Sequence, residues 1–339
     1  MSSWPRTSRP TWRSGSTTSA AEQPDLGETG VPRAIGQALA AFPAGLARRA
    51  AGSIRMVLGG RLASGRAGAW RASRLTGDGF PFELGFCTGD DRLRFTVEPD
   101  DGGLDPRTRL DVAAELAEAV DQAPVPPRVL DDFRAIQAGA PLAYGAWIGC
   151  RVGAERTAVK LYAEVPPGGK HASLGALGPA LTDRIVVPRM LAYSPATLAF
   201  EAYFRVSSLE PRHLPAVLAP AGMEAHASWL ADLVQDTYGH AVRGRLPGPS
   251  VGVSYIAGPA RARCTLHFYA RALWGSDARI RRGWSRLARG LGWDDQAYLR
   301  VTRPLAARES WRTFHGLVGI SLEEPPRIAV SIGVRPVVP

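Results

Sequence analysis

Basic residues and hydroxyl-bearing aromatic residues recur at alternate positions of short apolar runs in this chain. Examples are 93–98, 159–162, 200–205 and 266–269, in which every second residue is polar. Successive side chains of a β-strand point to opposite faces, so each run predicts a strand with one apolar and one polar face. Charges spread over separate strands fit a small, highly charged anion. The polar faces carry Arg94, Lys160, Tyr162, Tyr203, His267 and Tyr269.

These runs come in five pairs, and helix-like segments stand between the pairs. The predicted pairs are 80–86 with 92–98, 144–152 with 157–165, 189–193 with 198–206, 250–256 with 263–272, and 311–323 with 327–334. Residues 88–91, Thr-Gly-Asp-Asp, have hairpin-turn chemistry. Helices are expected at 33–58, from Asp105 to 123, at 172–182, within 214–238 and at 277–291.

The pairing predicts an α/β protein built as a ten-stranded antiparallel barrel of five ββα-type repeats. Helices cover the apolar face from outside, and closure removes the exposed edges that an open sheet would leave. An internal repeat favours a single domain, which we expect at 34–339. Residues 1–33, rich in Ser, Thr, Pro, Arg and Gly, are predicted to be a disordered tail.

Composition excludes several classes of protein. The 339 residues are 45% hydrophobic, as in soluble domains, and no uncharged apolar run is long enough to span a membrane. The N-terminal segment lacks the apolar core of a secretory signal, so we expect a cytoplasmic protein. The net charge is +10, but only 279–282 approaches a basic cluster, so nucleic acid is not the expected partner.

Metal chemistry is not indicated by the spacing of candidate ligands. Cys87, Cys150 and Cys264 show no CxxC spacing and are predicted to be small buried hydrophobic residues. The six histidines lack paired-ligand spacing. The Asp-Asp pairs at 90–91, 100–101, 131–132 and 294–295 do not continue as DDxxD, so a reaction without a metal cofactor is expected.

Two segments resemble the aromatic prenyltransferases of the dimethylallyltryptophan synthase type, in particular bacterial indole prenyltransferases. Residues 74–83, RLTGDGFPFE, followed by 93–99, LRFTVEP, are similar to the family's first hairpin, and Lys160-Leu161-Tyr162 to its second-hairpin Lys-x-Tyr. By order of elements the resemblance spans about 70–335. The family's fold is the prenyltransferase (ABBA) barrel of ten antiparallel strands, which agrees with the repeat described above.

The resemblance implies transfer of an allylic group from a prenyl diphosphate to an indole or another electron-rich aromatic small molecule, in secondary metabolism. Glu83 stands where the family has the acidic residue that accepts the indole N–H proton. Arg94 and Lys160 would then bind diphosphate oxygens. Tyr162, Tyr203 and Tyr269 would offer hydroxyls to phosphate and ring faces to the cation. On the eighth strand, His267-Phe268-Tyr269 stands where the family commonly has Gln-x-Tyr.

Departures from the family pattern leave an alternative open. Ala199 and Glu201 replace the arginine and lysine of the sixth strand, and the tenth strand has Ser331 and Gly333 where a tyrosine is usual. The alternative is a barrel that has lost part of its diphosphate site and binds a small molecule or catalyses cyclisation or isomerisation. Three arginines have inward parity and are candidates to replace the lost charge, although a rim position or an ion pair is favoured over a ligand role for each: Arg205, Arg263 and Arg271.

Glu201 separates the two hypotheses. An unpaired Glu201 would repel diphosphate, whereas an ion pair with Arg205 or Arg263 would preserve the site. Periodicity does not fix which face of the barrel Trp147, Met190, Tyr255 and Phe314 occupy. The sequence also leaves open the acceptor, the prenyl length, and the choice between monomer and homodimer.

Overall fold

A computed structural model describes Leu26 and residues 30–64, 70, 73–99, 103–167, 172–239, 244–257, 262–323 and 327–338. Ten strands follow in chain order: β1 Phe82–Cys87, β2 Leu93–Val97, β3 Ala146–Val152, β4 Thr157–Glu164, β5 Val186–Ser194, β6 Ala199–Ser207, β7 Ser250–Ala257, β8 Arg263–Tyr269, β9 His315–Glu323 and β10 Arg327–Val334. Each strand pairs antiparallel with the next in sequence. Pairing of β1 with β10, in which Leu84 lies opposite Val334, closes the barrel.

Helices stand outside the barrel. They are α1 Gly30–Leu39, α2 Ala44–Ser64, α3 Thr108–Asp121, α4 Pro127–Ala138, α5 Ala172–Gly175, α6 Leu214–Leu218, α7 Ala227–Tyr238, α8 Ala270–Trp274, α9 Asp277–Gly290 and α10 Gln296–Val301. The predicted ten-stranded barrel with outer helices is therefore confirmed. No helix in the described ranges is long and apolar enough to cross a membrane.

The hydrophobic core lies between the outer face of the barrel and the helices. Strand residues such as Phe82, Phe95 and Phe268 are wholly or almost wholly buried there. Trp284 of α9 is fully buried and packs against Tyr298, with ring centroids 4.3 Å apart. Because the outer face is apolar, the other residues of each strand are left to line the interior.

Local sequence explains where the observed helices differ from the predicted ones. The single helix expected at 33–58 is two helices, because Pro43 disfavours a helical conformation at the preceding residue. The helix expected at 172–182 ends at Gly175, ahead of Gly178 and Pro179. Helix α4 begins at Pro127, and the sequence did not reveal α10.

The observed element boundaries also differ from the predicted ones at the end of β8 and at the start of α1. Strand β8 ends at Tyr269 and α8 begins at Ala270, so Arg271 lies on a helix rather than on the predicted strand 263–272. Helix α1 begins at Gly30, before the predicted domain boundary at 34. Most of the predicted tail, 1–25 and 27–29, lies outside the described residues.

Candidate functional site

A cavity of about 1380 Å³ occupies the interior of the barrel. Its lining residues come from the polar faces of the strands, as the alternation predicts. Trp147, Met190 and Phe314 also line it, whereas Tyr255 faces outward and donates its hydroxyl to the Val217 carbonyl at 2.6 Å. The cavity is therefore a polar chamber with aromatic side chains in its wall.

The strand register separates two kinds of side chain along the chamber. Glu83 on β1 lies opposite Thr96 on β2, and Arg94 lies two residues further along β2, opposite Gly85 and Arg151. Two residues correspond to about 6–7 Å along a strand. A carboxylate and a pair of arginines thus lie at neighbouring levels of one chamber.

Glu83 lies against two glycines rather than against a charged partner. A methyl group at Gly316 or Gly333 would overlap its carboxyl group, so both glycines are needed to make room for it. Burial raises the pKa of Glu83 from 4.5 to about 7. In the part of the chain that is described, no hydrogen bond or ion pair to this carboxyl offsets that effect. Glu83 can therefore exchange a proton near neutral pH.

Arg94 is held by a carboxylate of the β1–β2 turn. Its Nε lies 2.8 Å from Asp90 Oδ2, and Asp90 also accepts hydrogen bonds of 2.8 and 3.0 Å from Arg92. Burial would raise the pKa of Asp90, but the hydrogen bond from Arg92 and the charge of Arg94 outweigh it and hold that pKa well below its usual range. Two arginines share one negative charge, so this group remains cationic.

Lys160 forms a buried ion pair with Glu201. Ser254 Oγ donates to Glu201 Oε1 at 2.6 Å. Burial would raise the pKa of Glu201, but the charge of Lys160 and hydrogen bonds from Lys160 and Ser254 outweigh it and lower the pKa to about 2. Glu201 is therefore ionised and paired, and the Lys160 charge predicted to bind an anion is already balanced.

An aromatic wall surrounds this ion pair. Lys160 Nζ lies 5.5 Å from the ring centroid of Tyr162 and 5.8 Å from that of Tyr203. The ring centroids of Tyr203 and His267 are 5.7 Å apart. The missing side chain of Gly149 leaves room for the Tyr162 ring, since a methyl group at residue 149 would lie 2.9 Å from that ring. The wall presents ring faces that can stabilise a cation.

His267 is a neutral residue of the wall. Burial lowers its pKa to about 4, although the charge of Glu201 opposes this effect. Its Nε2 lies 2.9 Å from Ser254 Oγ, whose proton is already directed to Glu201, so Nε2 carries the ring proton and donates. Nδ1 is then an acceptor, which makes His267 a poor donor to phosphate in this state.

The arginines chosen by parity alone lie apart from this centre. Arg205 is exposed and donates to Ser250 Oγ at 2.8 Å, and Arg263 forms an ion pair with Glu323. Neither pairs with Glu201, the role expected of them if the site were preserved. Arg271 and Tyr269 line the mouth of the chamber and are exposed. Arg271 lies on α8 rather than on a strand, because β8 ends at Tyr269.

Sequence reasoning missed Arg151 on β3. It follows the same alternation as Trp147 and Gly149, so the parity rule was sufficient to find it. Its segment, Gly149-Cys150-Arg151-Val152, was read as a strand without assigning its inward face. Within the described ranges no group of three or more His, Cys, Asp or Glu side chains is arranged to hold a metal ion.

Comparison with known proteins gives structural but not sequence matches. No protein-family model and no curated protein matches the chain. The 5-dimethylallyl tryptophan synthase from Streptomyces coelicolor in complex with DMASPP and Trp superimposes with a TM-score of 0.69 at 14% identity, over 89% of this chain and 92% of that one. The 6-dimethylallyltryptophan synthase from Micromonospora olivasterospora, in complex with the same two compounds, gives 0.68 at 17% identity, over 91% and 97%.

A third similar structure is the prenyltransferase PriB in ternary complex with L-tryptophan and dimethylallyl thiolodiphosphate. Its TM-score is 0.69 at 16% identity, over 94% of this chain and 99% of that one. Identities this low establish structure and not activity. The chain thus has the barrel fold of the dimethylallyltryptophan synthases along nearly its whole described length.

Proposed function

We propose that this protein transfers a prenyl group, dimethylallyl or longer, from a prenyl diphosphate to an indole or another electron-rich aromatic small molecule. The observation that carries the proposal is the arrangement of the chamber. Glu83, with a pKa of about 7, lies one level away from a cationic wall inside one closed barrel. The fold supports it, because similar barrels were solved with DMASPP and tryptophan.

The reaction makes three demands on the chamber. As the bond between the allylic carbon and the diphosphate breaks, the arginines near Arg94 hold the departing anion. The rings of Tyr162 and Tyr203 shield the allylic cation and stabilise its charge. The aromatic ring then attacks the cation, and Glu83 accepts the N–H proton of an indole, for which a pKa near the working pH is favourable.

We further propose that the transfer needs no metal ion. The arginines of the chamber wall would neutralise the diphosphate in place of a metal ion, since guanidinium groups bind phosphate oxygens in a bidentate manner. Turnover in excess EDTA is expected to equal turnover with added Mg²⁺. Loss of turnover in EDTA, restored by Mg²⁺, would contradict this part of the proposal.

The test is direct incubation. Purified protein is mixed with dimethylallyl or geranyl diphosphate and a panel of indoles and phenols that includes tryptophan. Mass spectrometry should show a gain of one prenyl unit on at least one acceptor, and no gain with heat-denatured protein. No product and no diphosphate binding across the panel would remove the proposal.

The Lys160–Glu201 ion pair supports a second candidate. It balances the charge of Lys160, as expected for a barrel that has lost part of its diphosphate site and binds a small molecule or catalyses cyclisation or isomerisation. Calorimetry with dimethylallyl thiolodiphosphate distinguishes the two candidates. Binding of this analogue together with acceptor prenylation supports transfer, whereas binding of aromatic compounds without diphosphate binding supports the second candidate.

A further inference from the structure

The wall formed by β2 and β3 has an excess of positive charge. Arg94 and Arg151 lie side by side on this wall, and the exposed Arg92 shares the Asp90 carboxylate with Arg94, so the charge of Arg151 is left unbalanced among the described residues. Asp90 contacts Arg92 and Arg94 only. Arg151 has no carboxylate within ion-pair distance among the described residues. Such an excess inside a barrel is costly unless an anion is bound there.

Arg151 has both the space and the position to contact a ligand. It lies opposite Arg94 on β2 and opposite Ala158 on β4, and all three line the chamber. The residue opposite it on β4, Ala158, is small, and Arg151 itself is half-buried. Burial, and then the charge of Arg94, lower the pKa of Arg151, the direction expected where a counter-charge is missing.

Two arginines of the opposite side also line the chamber, the half-buried Arg189 on β5 and Arg205 on β6, which is exposed to solvent. Lys160 is balanced by Glu201, and Glu201 receives a second hydrogen bond from Ser254. Arg263 is balanced by Glu323. An anion placed against β6 would have to displace Glu201 from Lys160 and would then lie beside its negative charge. The β2–β3 wall therefore attracts a diphosphate more strongly than β6 does, since the charge of Arg205 on β6 is exposed and screened by solvent.

The geometry points to Arg151 as the main anchor for the donor's diphosphate, which binds on the β2–β3 wall between Arg151 and Arg94. This inference rests on the proposed function and specifies its donor site. Arg151 supplies charge in place of the arginine and lysine that Ala199 and Glu201 replace on the sixth strand. The bridging oxygen of the donor is thereby directed toward the neighbouring level of the chamber, where Glu83 lies.

The test measures binding of inorganic diphosphate by calorimetry, which does not depend on any acceptor or on turnover. Arg151→Gln is expected to weaken binding by about 10- to 100-fold, since it removes charge-assisted hydrogen bonds. Arg151→Lys should recover part of the loss, because it restores the charge without the bidentate geometry. The double variant Lys160→Gln/Glu201→Gln removes a neutral pair and should weaken binding less than Arg151→Gln does.

Arg128→Gln is the matched control. Arg128 is exposed on α4, outside the barrel, so this variant should bind diphosphate as the unchanged protein does. Thermal unfolding of each variant verifies folding. Arg151 balances no carboxylate, so its replacement should not lower the melting temperature, and a folded Arg151→Lys keeps the test valid if Arg151→Gln fails to fold.

The outcomes separate this inference from the proposed function. Diphosphate binding that depends on Arg151, without prenyl transfer to any acceptor, would retain the anion site and remove the function. Prenyl transfer with normal donor KM in Arg151→Gln would retain the function and overturn the role of Arg151. Absence of diphosphate binding by the unchanged protein would overturn both.

Discussion

Glu83 combines an inward position with an absence of polar partners, and this combination determines its acid–base behaviour. The glycines at 316 and 333 let the carboxyl group approach the backbone of β9 and β10. Burial without compensation then raises its pKa to about 7. A glutamate on a solvated strand would have kept a pKa near 4.5.

The pH dependence of turnover tests this role. If ionised Glu83 accepts the proton of an indole acceptor, turnover should rise with pH through about 7 and level off above it. Glu83→Gln keeps the shape but removes the base, so turnover should fall by roughly 10²–10⁴-fold and lose that rise. Glu115→Gln, at an exposed position of α3, should leave the profile unchanged. Full activity of Glu83→Gln would show that Glu83 is not the base.

The same pKa predicts an effect on stability. Because the folded pKa is above the unfolded value, the folded protein holds a proton that the unfolded chain releases between pH 4.5 and about 7. Stability contributed by this site therefore decreases as pH rises through that window. Glu83→Gln should be more stable than the unchanged protein at pH 8, by at most about 3 kcal/mol, and show a smaller gain at pH 5.

Urea denaturation at the two pH values measures this difference. The limit on the free-energy gain is set below the full value that the pKa shift implies, because the Glu83 carboxyl group still contacts the chamber, where solvent screens its charge. An equal gain at pH 5 and pH 8 would mean that Glu83 is not desolvated in the folded protein. Catalysis and stability are thus tested independently on the same variant.

Alternation predicted which side chains face inward, but it did not predict their partners. Glu83, Arg94, Lys160 and Tyr162 line the chamber as expected. The ion pair between Lys160 and Glu201 joins β4 to β6, which β5 separates, so it depends on the register and tilt of three strands. A period of two residues carries no information about either quantity.

At the level of elements, β9 and β10 hold the carboxyl of β1 in place. Gly333→Ala should push the Glu83 carboxyl toward the chamber, where it is better solvated and its pKa is lower. We therefore expect the pH at half-maximal turnover to move below 7 and the rate to fall. Gly52→Ala is the control, because nothing lies within 4 Å of a methyl group there on α2. An unchanged pH profile in Gly333→Ala would show that the glycine does not position Glu83.

Hairpins were more predictable than helices for a physical reason. Each hairpin combines two alternating runs with local turn residues, so the residues that specify it lie within about 25 positions of one another. The helix divided at Pro43 and the short α5 depend on single residues that interrupt a favourable pattern. Helix α10 has only six residues, too few for periodicity to be distinguished from chance.

At the scale of the whole molecule, closure explains why five similar repeats form one unit. The first and last strands pair, so no strand edge is left open in the described barrel. The sequence predicted this closure because the alternative leaves two exposed edges. The N-terminal boundary stays a prediction, although helix α1 already begins at Gly30.

Truncation of the N-terminus tests where the domain begins. Leu26 belongs to the hydrophobic core, and Ile35 and Leu39 on α1 are completely buried. Arg300 Nη2 on α10 also donates to the Ala41 carbonyl at 2.6 Å. We therefore propose a domain boundary before Leu26, earlier than the boundary at 34 that composition favoured.

A chain beginning at residue 25 should melt within a few degrees of the full-length protein, because its composition gives the removed segment little to bury. A chain beginning at residue 40 loses three large core side chains, Leu26, Ile35 and Leu39, which contribute roughly 1.5–3 kcal/mol each. Against a typical total of about 5–15 kcal/mol, that loss should lower the melting temperature markedly or prevent folding. Calorimetry of the two truncated chains decides the matter. Equal melting temperatures would show that α1 is not part of the folded unit, and a large loss in the longer chain would place essential contacts before residue 25.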